Sequence, residues 1–234
     1  MSNHTVSTYD QELNKLRGSI VQMAKLVLEI IEMSRQSIER TFINFTDKTA
    51  ELDKEINQLD VIIEKHATSL LALRQPMAID LRLITISLKL ATILERMGDI
   101  AKNIAKRANR ISEKEKDISL FSNEVITYFD KIAVVVENMI SEVILAFEHL
   151  DQEAAVAVWK RDDDVDAHYH QLFLAIQKEM ISDPRKIEQA VQVMFAAKNF
   201  ERLGDYAANF AKAVYYIASG KRLRISEIEA QSSL

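Results

Sequence analysis

ERMGDIAKNIAK at 95–106 and ERLGDYAANFAK at 201–212 match without a gap at eight of twelve positions. In both copies the apolar residues recur at three- and four-residue steps, which makes each a piece of helix with one apolar face. Outside the motifs the same spacing continues. Leu13, Leu16, Ile20, Met23, Leu26, Ile30 and Met33 keep one stripe, and Ile56, Leu59, Ile63, Leu70 and Leu71 keep another. The chain has 234 residues but only 4 Gly and 2 Pro, where an average composition would give about 16 and 12. So little turn chemistry excludes sandwiches, barrels and doubly wound α/β folds.

The spacing predicts six long helices in two sets of three. The first ends near Phe45, and the second runs from the cap residues Thr46 and Asp47 to Arg74. Gln75-Pro76 breaks it, because a residue before proline is pushed out of the α region. The third helix covers Met77 to Ala108, and polar residues from Asn109 to Asp117 form a linker near the midpoint. The fourth covers Leu120 to Leu150. Asp151 caps a fifth that reaches Ile181, Ser182-Asp183-Pro184 breaks it, and the sixth stops at Gly220. The ERxGD motif sits in the third helix of each set, so the fold class is all-α, two tandem three-helix bundles related by an internal repeat. The boundaries drawn from it are 1–111 and 112–234.

Composition also restricts function. Lys+Arg 30 against Asp+Glu 35 gives a net charge of −5, the wrong sign for a general nucleic-acid binder. There are no cysteines, so thiolate metal sites and thiol nucleophiles are excluded and a reducing, cytoplasmic setting is expected. The polar start from Met1 to Leu16 does not read as a signal peptide. No apolar run approaches the ~18–20 residues of a spanning helix.

Glu95 with Asp99, and Glu201 with Asp205, stand four residues apart, so each pair lies on one helix face. Like charges at that spacing repel. Between them lie Gly98 and Gly204, each about 1 kcal/mol worse than Ala inside a helix, a choice that permits close approach of a neighbour. The second helix of each set adds Asp53 with Asn57, or Asp162 with Asp166, again at i and i+4. Carboxylates facing one another across two helices are how bundle metal sites are built. Without thiols such a site favours Mg, Ca, Mn, Fe or Zn ions. All four carboxylates of the third helices are expected on one surface, with the second-helix acids across from them. Arg96 and Arg202 could instead neutralise these acids on an ordinary solvated face. His66, His149, His168 and His170 have no ligand spacing, and no Glu-x-x-His of the di-iron type occurs. Lys221, Arg222 and Arg224 suit a helix C-terminus.

RQPMAIDLRLITISLKLATILERMGDIAKNIAKRA (74–108), FERLGDYAANFAK (200–212) and the two acidic second-helix motifs resemble the PhoU family, over essentially the whole chain. The resemblance implies a pair of three-helix bundles, often a homodimer, without enzymatic activity. It implies a regulatory adaptor of phosphate uptake and phosphate-starvation signalling, and as partners the ATPase subunit of the phosphate ABC transporter and the phosphate-sensing histidine kinase. The membrane is then approached only through those partners. Some family members bind multinuclear iron or zinc clusters through E/D-x-x-x-D motifs. By position these fall on Glu95 with Asp99, Glu201 with Asp205, and Asp162 with Asp166. The remaining motif reads Asp53 with Asn57, so the first-half site has lost one charge and should hold metal more weakly. A metal-dependent hydrolytic enzyme and a purely structural bundle are the competing functions.

Overall fold

The computed structural model describes residues 2–39, 44–114 and 121–223. Seven α-helices account for nearly all of them: α1 (Ser2–Glu39), α2 (Thr46–Arg74), α3 (Ala78–Lys114), α4 (Asn123–His149), α5 (Gln152–Lys160), α6 (Asp162–Ser182) and α7 (Ile187–Ser219), with a 3₁₀ turn at Pro184–Lys186. Among the described residues there is no strand. α3 packs on α1 and α2, and α7 packs on α4, α5 and α6, giving two bundles of the same plan.

The expected fifth helix is two helices. Arg161 carries the chain from α5 into α6: its N–H donates to the Val158 carbonyl at 3.1 Å, three residues back, and its own carbonyl is shared between the N–H groups of Asp164 at 3.1 Å and Val165 at 3.4 Å. The break gives Asp162, Asp163 and Asp164 a helix N-terminus, where the helix dipole favours negative charge. Four other boundaries also moved. α1 ends at Glu39, and of the expected extension 40–43 lies outside the described residues while Asn44 and Phe45 are not helical. Thr46 is the first residue of α2, and its N–H is accepted by Asn44 Oδ1 at 2.9 Å. The expected linker is helical from Asn109 to Lys114, with 115–120 outside the described residues. α4 starts at Asn123 rather than Leu120, after a Ser122 cap.

Other signals stand where the sequence puts them. Asp151 Oδ1 accepts from the N–H groups of Glu153 and Ala154 at 2.9 and 3.0 Å. Gly220 closes α7 at φ 72°, the left-handed cap conformation. Gln75, before the proline, is also left-handed, at φ 46°.

The bundles share one apolar core to which every α-helix contributes. Across the join, Arg82 near the start of α3 donates to the Ile217 carbonyl near the end of α7 at 3.0 Å. Arg107 near the end of α3 donates to Gln192 near the start of α7 at 3.1 Å. α3 and α7 are therefore antiparallel. α1 and α4 are too, since Arg35 meets Glu137 at 2.8 Å and Lys25 meets Glu148 at 3.6 Å. The repeat axis thus runs across the helices.

Candidate functional site

The RQP-x-x-x-DLR stretch at 74–82 has a structural role. Arg74 forks onto Glu12 with two bonds of 2.9 Å, tying α2 to α1. Tyr9 donates its hydroxyl to Asp80 at 3.2 Å, and Arg82 ties α3 to α7. These residues hold the frame on which the acidic helix faces are mounted.

The two glycines do the same thing in both halves. A Cβ on Gly98 would lie 3.0 Å from Ile56 Cδ1 and 3.8 Å from Asp53 Oδ1. A Cβ on Gly204 would lie 3.3 Å from Val165 Cγ1 and 3.5 Å from Asp162 Oδ1. Missing side chains thus let α2 close onto α3, and α6 onto α7, with an aspartate at each crossing. Asp53 and Asp162 are repeat-equivalent, as expected. The acids group by half: Glu95 feels Asp99, Asp60 and Asp53, while Asp162 feels Asp205 and Asp166. Asp60 is an acid of the first face that the spacing argument did not include. Asp99, Asp205, Asp166 and Asn57 are exposed, Glu95, Glu201 and Asp162 half-buried, and Asp53 buried at 7% exposure.

The halves then diverge at one position. Lys102 reaches between Asp53 and Asp99, donating to the Oδ2 of Asp53 and, at 2.7 Å, to the Oδ1 of Asp99. Its side chain is only 16% exposed. Burial alone would lower its pKa, but the bonds to Asp53 and Asp99 outweigh that and raise it. The repeat-equivalent residue on α7 is Ala208, which is buried and apolar. Without an inserted ammonium, Asp162 is pushed up to about 6, by burial first and then by the charges of Asp205 and Asp166. Lys212 offsets this in part. Lys198 sits on Glu201 at 2.6 Å, leaving the other carboxylate oxygen of Glu201 buried with no hydrogen-bond partner. Lys102 was legible as one of the four mismatches within the repeat, and its effect on the first half is more direct than that of Asn57.

Donor chemistry therefore separates the two faces. In the second half Lys198 is bonded to Glu201 and, among the described residues, no ammonium bridges Asp162 and Asp205, which leaves Asp162, Asp166 and Asp205 suited to a hard or intermediate cation. The first half already contains its cation. Among the described residues, no three of His, Cys, Asp and Glu converge closely enough to hold a metal as placed.

Two fused three-helix units in antiparallel repeat, each with an E-R-x-G-D helix closed over an acidic partner helix, define a class of duplicated helical-bundle protein. The chain belongs to the PhoU family: the PhoU domain matches twice, at residues 20–108 and 129–214. A "phosphate-specific transport system accessory protein PhoU homolog" of Caulobacter vibrioides is 34% identical over 95% of both chains. One of that name from Aquifex aeolicus is 33% identical over 94% of this chain and 96% of the relative. The crystal structure of PhoU from Pseudomonas aeruginosa superposes with a TM-score of 0.84 at 30% identity, covering 91% of this chain and all of that one. The "phosphate transport system regulatory protein PhoU" of Streptococcus pneumoniae gives 0.82 at 25% identity, covering 93% and all.

Proposed function

We propose that this protein is a regulatory adaptor of phosphate-specific transport. The observation that carries the proposal is the match to accessory proteins of that system over nearly the full length, both repeats included. In this reading the adaptor is cytoplasmic and not an enzyme. It engages the ATPase subunit of the phosphate transporter and the phosphate-sensing histidine kinase, restraining uptake and starvation-gene expression when phosphate is plentiful. Among the described residues no helix is long and apolar enough to cross a membrane, so such an adaptor would reach the membrane through its partners. Deleting the gene should leave starvation genes on in ample phosphate, and pull-down should recover both partners. Normal repression in a strain with no second family copy would sink the proposal.

The acidic face of the second half supports a metal-dependent layer of that role. Asp162, Asp166 and Asp205, with Glu201 beside them, would hold a divalent or trivalent ion. Its charge would relieve the repulsion that raises Asp162. Glu95, Asp99, Asp53 and Asn57 would bind weakly while Lys102 is in place. Metal added to protein stripped with chelator should raise the melting temperature of the native chain and not of Asp205→Ala, since only the folded state assembles the site. Equal responses in the two proteins would remove the metal layer and leave the adaptor role standing.

A further inference from the structure

A cavity of about 420 Å³ opens between α3 and the last turns of α7. That volume falls within the range of small-molecule sites. Ile86 and Lys89 line it from α3, Asn209, Lys212, Ala213 and Tyr216 from α7, and Arg222 with Leu223 from the segment beyond. Three cations, an amide and a phenol surround the space, and among the described residues no acid lines it. Among the described residues none of the three cations is ion-paired to Asp or Glu, in a chain whose net charge is −5. Lys212 is partly engaged elsewhere, its ammonium 5.8 Å from the centre of the Trp159 ring and close enough to Asp162 to offset its raised pKa, so Lys89 and Arg222 are the cations left facing each other across the space, and like charges so placed repel.

The internal repeat supplies a control. Carried along the same two helices, its register makes Gln192, Phe195 and Arg107 the counterparts of Ile86, Lys89 and Ala213. At that second place the groove is filled. Arg107 lies over the Phe195 ring at 4.8 Å and donates to Gln192 at 3.1 Å. Ala213 in place of the arginine empties the groove near Gly220, and Lys89 in place of the phenylalanine makes it basic. One fold position is thus plugged in one copy and open and cationic in the other.

We propose that this cavity binds a small organic anion of the phosphate-ester class. Lys89 and Arg222 hold its charged oxygens, and Ile86, Tyr216 and Leu223 carry its body. Two cations at separate points call for more than one negative charge, and guanidinium and ammonium groups suit phosphate oxygens. The apolar wall gives a ligand with an organic part an advantage over a bare ion.

The test is isothermal titration of the full chain with ATP at low salt, in EDTA so that no metal recruits nucleotide to the acidic faces. Inorganic phosphate is the parallel ligand. Saturable single-site binding of ATP, tighter than phosphate, is expected. Lys89→Ala and Arg222→Ala should each weaken it about tenfold, the loss of one charge-assisted bond. Lys89→Phe, which restores the aromatic of the closed copy, should abolish it, and Lys178→Ala, on α6, should leave it unchanged. All three positions are exposed, and thermal melts check that the variants fold. The proposal is overturned if ATP gives no saturable heat, binds no tighter than phosphate, keeps its affinity in the Lys89 and Arg222 variants, or loses as much in Lys178→Ala.

Discussion

Replacing Asp53 and Asp162 by asparagine should move stability in opposite directions, although the two residues occupy the same place in the repeat. In the folded protein Asp162 titrates at about 6 against an ordinary 3.8. The folded state therefore holds the proton more tightly than the unfolded one between those values, and stability falls as pH rises through that window. Two units at about 1.36 kcal/mol each would cost about 3 kcal/mol in a dry site. Asp162 is reached by solvent, and screening reduces this to about 1–2 kcal/mol. Asp162→Asn should thus stabilise metal-free protein at pH 7 by about 1–2 kcal/mol, about 2–8 °C in melting temperature. The gain should shrink as pH falls towards 4, where the wild-type carboxyl is protonated. Asp53→Asn does the reverse, removing a charged acceptor from the half-buried Lys102 and costing about 1–2 kcal/mol. Urea denaturation in EDTA from pH 4 to 7.5 measures both. A destabilised Asp162→Asn at pH 7, or an unaffected Asp53→Asn, would refute the argument that Lys102 separates the halves.

Lys102 has its pKa raised, so its stabilising contribution is complete below the ordinary lysine value of 10.5 and is lost as pH climbs beyond it. Lys102→Met should remove that alkaline limb from a pH–stability profile. Gly220→Ala forces a side chain into φ 72° and places its Cβ 3.3 Å from Arg82 Nη1. It should cost about 1 kcal/mol, read as a fall of about 2–4 °C in melting temperature. For assembly, light scattering should give twice the 26.7 kDa chain mass, and a monomer at micromolar concentration would count against the dimer.

The helices and their breaks were legible because Pro76, Asp151, Pro184 and Gly220 act locally, on residues adjacent in the chain. The turn at Arg161 was not, since it has neither Gly nor Pro and departs from helical geometry mainly in ψ, at −8°. The paired acids and their glycines could be found from spacing alone. Their grouping by half, and the part played by Lys102, needed the crossing of α2 over α3. Lys102 lies three residues from Asp99 but 49 from Asp53, so only the short partner shows in the sequence. Lys89 and Arg222 are further apart still, and nothing in either neighbourhood marks them as lining one cavity.

Arg82 and the Ile217 carbonyl are 135 residues apart, and that separation dictates an order of events during synthesis. α3 is complete long before the last turns of α7 leave the ribosome, so the nascent first half must wait with this guanidinium unengaged and the face that α7 will cover still open. A chain cut short ahead of Ile217 would keep its first three helices but lose the latch, leaving apolar surface for other nascent chains or chaperones. The first half is thus completed from the far end of the chain, where the last turn of α7 supplies the carbonyl that Arg82 takes up.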